Sequence, residues 1–228
     1  MSGIIIAIDG YSSTGKSTLA KALSRALCYT YIDTGAMYRA VSLYALNHNF
    51  IHTDGLKVDS LVSNLVNIQL SFIQYSNSDY EICLNGKNVE SEIRGMEVSK
   101  CVSLVSAVPE VRELLVAQQR IMGLNKSLVM DGRDIGSVVF PEAELKLFMT
   151  ASEEVRASRR YSELKELSDV TLKEIKANLK DRDFRDMNRE TAPLIQVSDA
   201  VLIDNTNLNQ DQQLEIVLKM VDKIIHPS

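Results

Sequence analysis

Short apolar runs alternate with segments of helical period along this chain, the pattern of a parallel sheet covered by helices on both faces. The first run, Ile4-Ile5-Ile6-Ala7-Ile8-Asp9, is apolar and β-branched and suits a fully buried strand. Further strands are predicted near residues 29–32, 127–130, 145–149 and 200–203. After the first strand, Leu19, Ala22, Leu23 and Ala26 fall on one helical face. Helices are also predicted over 35–46, 109–124 and 210–225, with Pro109 suited to a first turn that needs no N–H.

Two stretches break the alternation. Residues 68–73 and 80–84 read with period two, and Asn85-Gly86 supplies a two-residue hairpin turn before 87–89. This is a small antiparallel meander, read as an inserted subdomain. Residues 152–189 read as two charged helices with a break at Ser168-Asp169. By composition alone they are a solvated helical pair stabilised by i,i+4 charge pairs.

With 228 residues, one core domain with insertions is expected rather than two independent domains. The net charge of −5 argues against a protein that coats nucleic acid. Six of the twelve arginines, however, lie between Arg156 and Arg189, so a local positive field is expected on an acidic molecule. Cys28, Cys83 and Cys101 are unpaired in number and spacing, as in a reducing cytosol. His48, His52 and His226 are too scattered to suggest a metal site. The N-terminal apolar run lacks a basic leader and leads straight into a glycine loop, so it is a core strand and not a signal peptide. No run approaches the ~20 residues needed to span a bilayer. A cytoplasmic monomer with no membrane or nucleic-acid partner is expected.

That glycine loop is Gly10-Tyr11-Ser12-Ser13-Thr14-Gly15-Lys16-Ser17, a complete G-x-x-x-x-G-K-[ST] motif followed by Thr18 and set between a strand and a helix. Loop N–H groups and the helix N-terminus bind phosphate, Lys16 adds a mobile charge, and the Ser17 hydroxyl is placed to hold Mg²⁺. The chain is therefore expected to bind ATP with Mg²⁺. Asp131 ends the third strand, either near Mg²⁺ through water or in a structural turn. Asp9 is ambiguous in the same way.

Three clusters narrow the class: Asp33–Arg39 (DTGAMYR), Asp131–Pro141 (DGRDIGSVVFP) and Arg182–Arg189 (RDFRDMNR). The first two follow strands at the carboxyl edge of the sheet, where open α/β folds bind ligands. In the third, Arg182, Arg185, Asp186 and Arg189 are spaced to share a helical face. Together with Ser91–Arg94 (SEIR) and Ala192–Leu194 (APL), these blocks resemble the bacterial cytidylate kinase family over residues 4–204. The family departs from this chain in the loop, where many members carry proline at Tyr11 and small Gly or Ala at Ser13 and Thr14. If either position needs positive φ, its side chain adds strain.

The resemblance implies a P-loop kinase core with a five-stranded parallel sheet, a small antiparallel β insert and a helical lid. It divides the chain into core (1–60, 105–151, 190–228), monophosphate-binding insert (61–104) and lid with arginine-rich helices (152–189). It implies transfer of the ATP γ-phosphoryl group to CMP or dCMP, without a covalent enzyme intermediate. Arg39 and Arg133 suit a bidentate grip on the acceptor phosphate. Cytosine contacts fall to Ser103, Arg112 and Asp134, although Ser103 also suits helix packing. Thr34, Arg182, Asp186 and Arg189 match other CMP-binding positions. Arg156, Arg159 and Arg160 match lid arginines that act with Lys16, and spacing does not select among them. The alternatives are a P-loop kinase for UMP or shikimate, or a regulatory ATPase, which would leave Arg39 and Arg133 without a purpose.

Overall fold

The computed structural model describes residues 3–53, 55–74, 80–165 and 169–227. In chain order the first elements are β1 (Ile5–Gly10), α1 (Lys16–Leu27), β2 (Thr30–Asp33), α2 (Thr34–Asn47), β3 (Ile51–His52), β4 (Gly55–Leu56) and α3 (Val58–Ser63). Next come β5 (Leu70–Gln74), β6 (Tyr80–Leu84), β7 (Lys87–Asn88), α4 (Met96–Ser106) and α5 (Pro109–Met122). The chain continues through β8 (Leu128–Asp131), β9 (Leu145–Thr150), α6 (Glu153–Leu164), α7 (Leu172–Asn188), β10 (Val201–Asp204) and α8 (Gln210–Ile225).

The expected sheet is present, in the order β10-β9-β1-β8-β2. β1 lies at its centre, parallel to β8 and β9, and every residue of β1 is buried. That is why its sequence is apolar without alternation from Ile5 to Ile8, before Asp9 and Gly10 end the strand. Its last residue, Gly10, has φ +144°, and a Cβ there would lie 2.1 Å from the Met149 carbonyl oxygen. Only glycine lets the chain leave the sheet at this point.

Contacts divide the chain into two compact units, one spanning Asp33–Met122 and the other formed by the residues before and after it. Each has its own apolar core. In the discontinuous unit, Ile6, Ile8, Leu23, Val129, Leu147 and Val217 are packed together. In the other, α2, α4 and α5 surround Met37, Val41, Val105 and Leu115. The meander β5-β6-β7 belongs to this second unit, and its Asn85-Gly86 turn takes φ +50° and +79°, as a two-residue hairpin requires.

Caps set the helix ends near the site. Asp33 accepts the Ala36 N–H at 2.9 Å and starts α2. Thr171 with Glu174, and Asn209 with Gln212, form capping boxes that start α7 and α8. The expected break at Ser168-Asp169 lies partly outside the described residues, since Ser168 is not among them. No described helix is long and apolar enough to cross a membrane.

Candidate active site

The phosphate loop is held closed by its own side chains. Lys16 Nζ donates to the Gly10 carbonyl at 3.0 Å and to the Tyr11 carbonyl at 2.6 Å, and Thr14 Oγ1 donates to the Tyr11 carbonyl at 3.0 Å. Lys16 is therefore buried and not the solvated residue that a loop position suggests. Burial, reinforced by the nearby Arg133 guanidinium, pushes its ammonium down to about 7. Ser13 carries φ +58°, so the positive-φ position anticipated from the loop sequence is real and falls on a side chain with a Cβ.

At the start of α1, Ser17 Oγ donates to Asp131 Oδ2 at 3.0 Å, and Tyr31 Oη donates to Asp131 Oδ1 at 2.8 Å. A hydroxyl beside a buried carboxylate is an all-oxygen donor set, which suits a hard cation such as Mg²⁺. Asp9 does something different. Its carboxylate accepts the Ile135 and Gly136 N–H groups, each at 2.8 Å, and anchors the wide turn Ile135–Val139 that follows Asp134. Burial raises Asp9 to about 7 against the pull of these two N–H groups, with the Asp134 charge adding to the rise.

The segment after β8 presents two ion pairs. Arg133 Nε donates to Asp186 Oδ2 at 2.9 Å, and Arg189 Nη2 lies 3.5 Å from Asp134 Oδ1. Burial alone would raise Asp186, but the guanidinium groups of Arg133, Arg182 and Arg189 outweigh it and hold the carboxyl below its ordinary range. Arg189 is not on the α7 face expected from its spacing. It caps the helix with φ −67° and ψ 144°, and its Nε donates to the Ala192 carbonyl at 2.6 Å. The chain turns here because the Leu194 N–H donates to the Asp186 carbonyl at 2.8 Å.

Two of the three arginines of α6 rest on the phosphate loop. Arg156 pairs with Asp183, donates to the Ser12 carbonyl at 3.2 Å and lies over the Tyr11 ring at 5.4 Å. Arg159 Nη1 donates to the Thr14 carbonyl at 3.3 Å and to Asn205 Oδ1 at 3.0 Å. Arg160 instead donates to Glu163 at 2.9 Å. Asp183 closes this arrangement by accepting the Ser12 N–H at 3.0 Å.

In the Asp33–Met122 unit, Arg39 and Arg94 both donate to Asp33 Oδ2, at 2.9 and 3.1 Å. Burial would raise Asp33, but these two guanidinium groups overcome it and lower the carboxyl to about 2. Thr34 opens α2 and is buried. Arg112 is buried, donates to the Ser106 carbonyl at 3.1 Å and lies over the Tyr38 ring at 5.4 Å. Ser106 Oγ donates in turn to the carbonyl of buried Ser103 at 3.3 Å, which links the two expected base readers through α4.

The family profile for cytidylate kinase matches residues 6–223. The chain is 52% identical to the cytidylate kinase of Flavobacterium johnsoniae over 227 residues, covering 99% of each protein. It belongs to the cytidylate kinase family. The cytidylate kinase of Parabacteroides distasonis is 49% identical, again over 99% of each chain. A solved protein from Eubacterium ventriosum shares the fold at a TM-score of 0.52 and 13% identity, covering 96% of this chain and 98% of that one.

No role was expected for Asp183, Asn205, Tyr31 or Arg94, although Asp183 and Arg94 lie inside two of the blocks that carry the resemblance. A signal for Asp183 existed, because Ile175, Leu179, Asp183 and Asp186 recur at helical spacing and are the buried positions of α7. Nothing comparable marks Asn205, which donates to the Thr14 carbonyl at 2.7 Å across a sequence separation of 191.

Proposed function

We propose that this chain transfers the γ-phosphoryl group of ATP to CMP and dCMP, giving ADP with CDP or dCDP. The observation that carries this reading is the family membership, which extends across nearly the whole chain at about half identity. Residues 61–104 serve as the monophosphate-binding insert and 152–189 as the lid, in a cytoplasmic monomer of pyrimidine metabolism.

Phosphoryl transfer asks a protein for positioning and charge neutralisation more than for covalent chemistry. Gly10 to Thr18 hold the ATP phosphates, and Lys16 exchanges its loop carbonyls for phosphate oxygens. Ser17 would hold Mg²⁺ directly and Asp131 through water, an assignment supported by their 3.0 Å contact. When bound, the ion supplies neutralisation of charge on the phosphates. Arg159 and Arg160 complete the neutralisation from the lid. The contacts of Arg159 with the loop favour it as the first to reach the phosphates, and Arg160 must leave Glu163.

On the acceptor side, Arg39 and Arg133 grip the CMP phosphate, each already oriented by a carboxylate. Asp134 accepts a hydrogen bond from the cytosine N4 amino group, while Ser103 and Arg112 serve its O2 and N3 acceptors. Thr34, Arg182, Asp186 and Arg189 bind the ribose and nearby phosphate oxygens. A coupled assay of ADP formation tests the reading. ADP that appears only with CMP or dCMP supports it, and ADP formed equally without an acceptor marks an ATPase.

A further inference from the structure

Ser12 belongs to the donor loop by sequence, yet its side chain faces an acceptor residue. Its Oγ accepts a hydrogen bond from Arg133 Nη2 at 2.9 Å, and the residue is buried. The Ser12 backbone is fixed separately. Asp183 Oδ1 takes the N–H at 3.0 Å, and Arg156 Nη1 donates to the carbonyl at 3.2 Å. Neither of these bonds uses the hydroxyl.

Arg133 is held at three points. Nε goes to Asp186, Nη1 donates to the Gly132 carbonyl at 3.2 Å, and Nη2 goes to Ser12 Oγ. A guanidinium carries five N–H groups, so one remains on each terminal nitrogen, enough for a two-point grip on phosphate oxygens. Asp186 fixes the Nε end of the plane. The Gly132 carbonyl holds Nη1, and the Ser12 hydroxyl is the contact that holds Nη2, so without it that end of the fork loses its anchor.

We infer that Ser12 is a positioning residue for the acceptor phosphate, acting through Arg133, so that a donor-loop side chain sets affinity for the acceptor. This rests on the reading of Arg133 as a ligand of the CMP phosphate. The loop binds ATP through backbone N–H groups, and removing this hydroxyl leaves that backbone in place.

The test compares Ser12→Ala, Ser12→Thr, Arg133→Ala and the double variant. It measures KM and kcat for CMP at saturating ATP, and dissociation constants for ATP and CMP by calorimetry. Ser12→Ala should raise the CMP constants about 10-fold, the scale of one hydrogen bond to a charged group. ATP affinity should fall by less than CMP affinity does, since the loop backbone stays in place. Ser12→Thr should restore CMP use, and Ser12→Ala should add nothing in the Arg133→Ala background. Should Ser12→Ala lower Tm, Ser12→Cys, which keeps size but is a poor acceptor, carries the same comparison. Unchanged CMP binding in Ser12→Ala alongside weakened binding in Arg133→Ala overturns the inference and spares the acceptor reading. Equal losses of ATP and CMP affinity in Ser12→Ala also overturn it. Unchanged CMP binding in Arg133→Ala overturns both.

Discussion

Ser17 Oγ and Asp131 Oδ2, separated by 114 positions in sequence, meet at 3.0 Å where the first turn of α1 faces the end of β8. Tyr31 holds the other oxygen of the same carboxylate, so Asp131 is fixed in a single orientation before any ligand arrives. Two neighbouring strand ends thus direct one oxygen toward the residue that the loop motif places on the metal.

The Asp131 carboxylate should therefore matter through Mg²⁺. Asp131→Asn keeps the volume but removes the charge. It should raise the Mg²⁺ concentration for half-maximal activity about 10-fold or more, the usual cost of losing an outer-shell partner. The KM for CMP should change little. A Mg²⁺ titration of both proteins decides it, and an unchanged midpoint assigns Asp131 to the turn alone.

Lys16→Met should lower turnover by about 10² or more, since a charge acting on the transferring phosphoryl group is lost. It should also change stability in a direction set by burial. The folded-state Lys16 falls from 10.5 to about 7, so between these values the unfolded chain binds the proton and the ligand-free fold does not. Stability of the wild type should accordingly rise with pH across that window, relative to Lys16→Met. Urea denaturation at several pH values gives the difference, and parallel curves for the two proteins would contradict the lowering of Lys16 by burial.

What was legible in the sequence is what local rules specify. Gly10 through Ser17, the continuous apolar run of β1 and the Asn85-Gly86 hairpin each declare their backbone within a few residues. α4 was missed because its serines and β-branched valines favour helix weakly. It forms because Val98, Val102 and Val105 are buried in the core with α2 and α5. The site was legible as a set of residues but not as a network. Which arginine reaches the loop depends on Asp183 and Asn205, partners whose roles exist only after α7 and β10 have packed.

Ser13 has φ +58°, a conformation that costs a residue with a Cβ roughly 1 kcal/mol. Ser13→Gly removes that strain while loosening the unfolded chain, so it should stabilise the protein by about 0.5 kcal/mol. ATP affinity should shift by no more than a few-fold. Thermal melts with and without ATP measure both effects, and a destabilised Ser13→Gly protein would mean that the serine hydroxyl outweighs the strain.

The role proposed for Asp134 predicts how the base is selected. The residue is buried and lies 3.5 Å from Arg189, so its carboxylate is oriented and shielded from water. Cytosine offers an N4 amino donor to such a group, whereas uracil places an acceptor in the same position. A site built to satisfy a polar group can reject the unmatched analogue by roughly 10⁴-fold. CMP and dCMP should therefore be good acceptors, because losing the 2′-hydroxyl alters only a ribose contact, and UMP and AMP should be poor ones. Asp134→Asn should narrow the gap between CMP and UMP, since an amide can donate to uracil O4. It should also slow the enzyme with CMP, because Arg189 loses one of its charged partners. The values of kcat/KM for the four nucleotides on both proteins settle the point, and equal efficiency for CMP and UMP in the wild type removes Asp134 from base recognition.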